Sequence, residues 1–256
     1  MTYSTDALFR SAYQTAKHHI IPFIEKVKPI RPGMHILDIG CGEGGVLKAF
    51  AEKECNGIGI DLMEKRIKDA RQILKDEPRL HFKAVNVYDF TPEEKFDIII
   101  LKDAIEHIPE KTRLLRRLKD LLQPDGIIWL GFPPFPMPLG GHQQIIPNNK
   151  LLRFLPYYHL LPTAIYRKVL EMGGVSPRII ELLLEIKELG LSIEDFHRFA
   201  RQAGYRIAAA QHFFLNPSYQ YRFGLPTLRS FFPFNKIPYL RNFYTMGVYY
   251  IIQPKS

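Results

Sequence analysis

The stretch LDIGCGEGG, residues 37–45, constrains this chain more than any other. An apolar run of buried-strand type, MHILDIG, ends in glycines, and a helical pattern, EGGVLKAFAEKE, begins inside them. A strand that turns directly into a helix through glycines brings backbone N–H groups and a helix N-terminus up to a polar ligand, an approach that a Cβ would obstruct. Gly40, Gly42 and Gly45 satisfy G-x-G-x-x-G, the dinucleotide fingerprint, and Asp61 follows at a distance suited to a ribose diol. Asp38 pulls the other way. A carboxylate two residues before the first glycine sits poorly with a pyrophosphate and suits a cationic ligand such as an aminoacyl sulfonium.

Downstream the chain alternates. NGIGIDL reads as a second strand, and EKRIKDARQILKDE as a surface helix with Ile67, Ala70 and Leu74 on one face. LHFKAV and FDIIIL make strands three and four. KTRLLRRLKDLL is an amphipathic helix, halted by QPDG before a fifth strand, IIWLGF. The alternation predicts an α/β fold, doubly wound about a mostly parallel sheet. Residues 132–190 break the rhythm and read as an insertion, with Ser176 and Pro177 as N-cap and N1 of a helix. The pattern resumes at Ser192 with Asp195, a capping-box-like start. Strands YRIAAAQHFF and YTMGVYYII complete a seven-stranded sheet, with a second insertion, residues 215–242, between them. The first 28 residues predict one or two helices jointed at Pro22. The expected organisation is an N-terminal helical segment at 1–30, a core at 31–131 and 191–256, and a helical capping insertion at 132–190.

The residues around the glycine loop resemble the class I S-adenosylmethionine-dependent methyltransferases. LDIGCGEGG matches their D/E-x-G-x-G-x-G motif through Asp38, Gly40, Gly42 and Gly44, and GIGIDL matches their second strand ending in an acid, Asp61. AVNVYDF falls where the family usually has an acid near the adenine amino group; here that position is Asn86, whose carbonyl oxygen can still accept from an amino group. FDIIILKDAIEHIPE followed by LLQPDGIIWL looks like the ubiquinone- and menaquinone-type ("methyltransferase type 11"-like) branch, with Asp125 in place of the first glycine of a P-G-G turn. The similarity runs well over residues 34–131 and loosely over 190–214. It implies a Rossmann-like methyltransferase fold with the last strand antiparallel, S-adenosyl-L-methionine as cofactor, and a cofactor site made from Asp38, Gly40, Gly42, Gly44, Asp61, Leu62, Asn86, Val87 and Lys102. Asp61 would hold the ribose hydroxyls, and the Val87 backbone would face the adenine ring.

The resemblance also places GFPPFPMPLGGHQQ, residues 131–144. Four prolines between 133 and 138 exclude helix interior and central strand. Leaving the carboxyl end of the fifth strand, the segment is expected to form a wall or lid of the substrate pocket, with Gly140 and Gly141 able to hinge. Phe132-Pro133-Pro134-Phe135 lacks the Asn or Asp, and the position after strand four, of the motif that clamps amino groups. A base is needed where the acceptor is a hydroxyl. His142 on the proline loop is the first candidate and His107 in AIEHI the second, each with the plainer alternative of a structural histidine. Glu106 reads as a structural carboxylate, and Asp103 as binding substrate or ordering its loop. No Cys/His cluster has metal-ligand spacing, so no metal is expected. Tyr157, Tyr158 and His159 read as packing.

Charge is uneven. The net charge is +9, and eight Lys or Arg with no Asp or Glu follow Asp195, among many Phe and Tyr. Core aromatics with solvated cations are one reading of this quarter, peripheral contact with an anionic membrane is another, and RNA contact ranks below both. Prolines interrupt the one stretch long enough to span a bilayer, residues 127–149, and two cysteines are too few for a disulfide framework. A cytoplasmic protein, reaching at most the inner membrane surface, is therefore expected. The function expected is methyl transfer to a small-molecule or lipid-linked acceptor. RNA methylation, or cofactor binding without turnover in a regulatory protein, are the alternatives.

Overall fold

The computed structural model describes residues 4–231 and 233–255. Strands β1 (His35–Ile39), β2 (Asn56–Asp61), β3 (Leu80–Ala84), β4 (Phe96–Lys102), β5 (Leu122–Phe132), β6 (Tyr205–Leu215), β7 (Leu228–Arg229) and β8 (Gly247–Pro254) form one sheet in the order β3-β2-β1-β4-β5-β8-β6-β7. The first five are parallel, β8 runs antiparallel to both β5 and β6, and β7 antiparallel to β6. The sheet thus has eight strands rather than seven. The addition, β7, is two residues long and lies inside the second insertion, too short for any periodicity to announce it.

Helices α1 (Thr5–Thr15), α2 (Ile21–Ile24), α3 (Gly45–Ala51), α4 (Glu64–Ile73) and α5 (Lys111–Leu121) belong to the first half. Helices α6 (Lys150–Phe154), α7 (Thr163–Met172), α8 (Pro177–Leu189), α9 (Ile193–Gln202) and α10 (Ser218–Phe223) follow. Both faces of the sheet are covered, which is why its central strands are unbroken apolar runs. Ile99 and Leu101 of β4 pack into the cluster shared with α5 and α9, while Ile98 and Ile100 pack into the cluster shared with α1 to α4. Residues 133–190 leave the sheet and bury a cluster of their own, including Ile146, Tyr166, Leu170 and Leu183. The ends of this excursion meet: the Phe135 N–H donates to the Leu191 carbonyl at 2.8 Å.

Three local expectations change. The N-terminal joint precedes Pro22: residues Ala16–Ile20 form a π-helical turn between α1 and α2. Proline has no N–H to give and crowds the carbonyl one turn back, and a widened turn relieves both. QPDG does not separate helix from strand. β5 starts at Leu122, and its register against β4 jumps from Phe96↔Leu122 to Ile98↔Ile127, so that the four residues form an irregularity within the strand. Ser176 precedes α8 as an N-cap with extended backbone but makes no side-chain cap bond, whereas the Ser192 Oγ accepts from the Asp195 N–H at 3.0 Å.

Candidate active site

Strand order reverses between β1 and β4, and in open α/β sheets ligands lie outside the carboxyl ends of the strands at such a point. Asp38, the glycine loop, Lys102 and Asp103 all fall there. Gly40 (φ +76°) and Gly44 (φ +82°) hold left-handed conformations that L side chains rarely adopt. A Cβ on Gly44 would also stand 2.8 Å from the Phe82 ring. The loop is fastened to β2 by the Gly40 and Cys41 N–H groups, which donate to the Ile60 carbonyl at 2.8 and 3.1 Å. Gly45 is glycine for another reason: its Cβ would meet the Phe9 carbonyl of α1 at 2.4 Å.

Asp38 is 1% exposed, and neither carboxylate oxygen has a hydrogen-bond partner among the described residues. Burial pushes its carboxyl up to about 7, with Lys102 pulling the other way. A buried carboxylate left in this condition is complementary to a ligand bearing positive charge. Asp61 is held ready at the end of β2. Its Oδ2 accepts from the Gly42 N–H at 3.1 Å and its Oδ1 from the Met63 N–H at 2.9 Å. Arg66, which sequence reasoning missed, lies 3.6 Å from the same carboxylate and grips Glu43 with two bonds of 3.1 Å. Leu62, 73% exposed, follows Asp61 and leaves an apolar side chain free for a planar ring. Asn86 is exposed, and its Oδ1 already accepts from the Tyr88 N–H at 3.0 Å, leaving one lone pair for a ligand. Val87 is buried beside it. The Lys102 ammonium pairs with Asp103 rather than reaching into the loop.

A second group of side chains lies at the carboxyl end of β4. Asp103 has a left-handed backbone (φ 51°), and its N–H donates to the Gly131 carbonyl at 2.7 Å. Burial raises its carboxyl, but Lys102 and then Arg222 outweigh that and hold it below the usual range. Arg222 comes from α10, in the second insertion, and no local sequence signal could have placed it there. The 3-10 turn Ile105–His107 then presents Glu106 and His107. His142, also left-handed (φ 55°), brings its ring to 5.1 Å from that of His107, edge to face. Ligand atoms of Glu106, His107 and His142 all lie within 4.8 Å of one another. Neither Glu106 oxygen has a hydrogen-bond partner among the described residues, and burial, then Asp103, pushes its carboxyl up to about 8. Burial, then His107, lowers His142 to about 4. Strained residues converging on an orphaned carboxylate mark a site rather than a packing detail. The trio could take a proton or hold a divalent cation. Spacing along the chain could not reveal it, because Glu106 and His142 are brought together only by the fold.

The proline loop is closely packed at the two glycines expected to hinge: a Cβ on Gly140 would lie 1.9 Å from the Phe135 carbonyl oxygen, and one on Gly141 2.4 Å from the His159 Cβ. His159 Nε2 bonds the Phe135 carbonyl at 2.9 Å, and the Lys187 ammonium donates to the His159 carbonyl at 2.7 Å. Tyr158 and His159 are buried, as their aromatic run suggests, while Tyr157 is partly exposed.

Residues 30–134 match the family described as a methyltransferase domain. A ubiquinone biosynthesis O-methyltransferase from Bordetella avium is 28% identical over 166 residues, covering 61% of this chain and 68% of that one. A protein of the same name from Actinobacillus pleuropneumoniae is 30% identical over 104 residues, 38% of this chain and 44% of its own length. Among solved structures, magnesium protoporphyrin IX methyltransferase from Synechocystis PCC 6803, with bound S-adenosylhomocysteine, shares the fold at a TM-score of 0.55 and 15% identity, over 100% of this chain and 89% of that one. The glycine cradle, the orphaned Asp38 carboxylate and Asp61 fit S-adenosyl-L-methionine, and residues 30–134 form a methyltransferase domain similar to those of the class I S-adenosylmethionine-dependent enzymes.

Proposed function

We propose that the chain methylates a hydroxyl oxygen on a small, lipid-linked acceptor. The observation that carries this reading is the trio Glu106, His107 and His142 at the carboxyl end of β4, beside the cofactor cradle. S-adenosylmethionine supplies a methyl group already activated by its sulfonium. The oxygen–carbon bond forms as the carbon–sulfur bond breaks, and the hydroxyl proton must leave. An amine or thiolate would need little help, whereas a hydroxyl needs a group to take that proton. His107 is the better acceptor of the two imidazoles, since the more buried His142 resists protonation. Asp38 would face the cationic end of the cofactor and Asp61 its ribose. Holding oxygen and methyl in line contributes roughly 7–11 kcal/mol of barrier reduction. The O-methyltransferase names of the relatives support oxygen as the atom methylated, and a quinone precursor as the acceptor class.

The same trio favours a second reading, in which a divalent cation held there acidifies the acceptor hydroxyl. Chelation separates the two: transfer survives it in the first reading and is lost, then restored by added Mg²⁺ or Zn²⁺, in the second. Either way, Glu106→Gln and His107→Ala should leave S-adenosylhomocysteine affinity within about twofold and reduce transfer by roughly 10²–10⁴-fold. Undiminished turnover in both variants would remove the trio from the chemistry.

A further inference from the structure

Two segments far apart in sequence meet on one side of the molecule. The Tyr157 hydroxyl donates to the Phe243 carbonyl at 2.9 Å, and the two rings lie 6.1 Å apart. On the Tyr157 side, α6 buries Leu152 but leaves Leu151 and Phe154 exposed at 70% and 61%. On the Phe243 side, Tyr239 is 72% exposed, with Leu240 and Ile237 also outside. This second segment is built inside out. Arg241 pairs with Glu194 at 3.0 Å, the Tyr239 N–H donates to the same carboxylate at 2.9 Å, and the Asn242 Oδ1 accepts from the Ile193 N–H at 2.8 Å. Its polar groups thus hold it to α9, and its apolar side chains are left facing out. A loop shaped only by water would do the reverse. Apolar patches of this kind mark interaction surfaces.

Charge selects the partner. No Asp or Glu occurs between Asp125 and Glu171, nor after Asp195, so both segments are free of acid. Lys150 and Lys236, in or next to them, are exposed. Apolar and Tyr side chains flanked by cations suit the headgroup layer of an anionic bilayer, where cations meet phosphates and aromatic rings sit at the interface. No helix of the described residues is long and apolar enough to cross a membrane, so contact would be peripheral. The face also adjoins the site. The Tyr157 N–H donates to the Pro138 carbonyl at 2.9 Å, and Gln143, next to His142, donates to the Leu155 carbonyl at 3.1 Å.

We infer that α6 with residues 155–157, together with residues 237–243, docks on an anionic lipid surface and presents the acceptor pocket to it. This inference deepens the lipid-linked reading above and rests on it only for its purpose. The test is co-sedimentation of the full chain with phosphatidylglycerol-containing and pure phosphatidylcholine vesicles across a NaCl series, with labelled RNA as competitor. The expected result is at least tenfold tighter binding to the anionic vesicles, weakening with salt. Leu151→Ser/Phe154→Ser and Ile237→Ser/Leu240→Ser should each lose tenfold or more, with S-adenosylhomocysteine affinity unchanged in calorimetry. Equal or absent binding to both vesicle types at low salt would overturn the inference. So would displacement by RNA, or a change of oligomeric state in the variants without loss of vesicle binding. Cofactor affinity and transfer to a tail-less acceptor report on the enzymatic reading independently: they can fail with docking intact, or stand when docking fails.

Discussion

At the scale of single residues, Asp38 is the group whose state depends most on what binds beside it. Its carboxyl lies at about 7 because burial disfavours the charge. A cationic cofactor binds the ionised form, so affinity should be full above pH 7 and fall by up to about tenfold per pH unit below it. Calorimetry with S-adenosylmethionine at pH 6 and 8 checks this; equal affinities would mean that Asp38 does not face the positive charge. Asp61 is already oriented by the Gly42 and Met63 N–H groups. Asp61→Ala should weaken cofactor binding by about 1.5–3 kcal/mol, or roughly ten- to a hundredfold, since a charged acceptor of two hydroxyls is lost. Tighter binding of NAD than of S-adenosylhomocysteine by the unmodified chain would contradict the cofactor assignment. Both acids were legible from the sequence because each sits at or next to the end of a strand that leads into a glycine or helix turn. Arg66 and Arg222 were not, because a long cation on a helix carries no local sign of the carboxylate it will meet.

At the scale of elements, β1 to β5 were readable because sheets covered on both faces demand continuous apolar runs, as in β4. The two-residue β7 and the π-helical turn before Pro22 leave no such mark. The proline loop was legible as a break but not in its packing. Its two glycines, read as hinges, answer to close packing against Phe135 and His159. Gly140→Ala should therefore destabilise the fold by about 1–3 kcal/mol, because the Phe135 carbonyl must move to admit a methyl group. Transfer should drop through displacement of His142 while cofactor affinity holds. Thermal unfolding of this variant is the check, and an unchanged midpoint with unchanged turnover would restore the hinge.

At the scale of the whole molecule, the sheet carries the glycine cradle, and the side chains gathered beside it come from distant parts of the chain. The core supplies Asp38 and Asp61 from β1 and β2 and Glu106 and His107 after β4; the first insertion adds His142 and the second Arg222. That convergence is the ground on which we propose methyl transfer to a hydroxyl. The most direct measurement is to incubate the chain with methyl-labelled S-adenosylmethionine and cell extract separated into lipid, RNA and protein fractions, and to identify the labelled product by mass spectrometry. Label on an oxygen of a small molecule in the lipid fraction, absent with Glu106→Gln, is the predicted result. Label in RNA or protein, or no label from a chain that binds the cofactor, would contradict it.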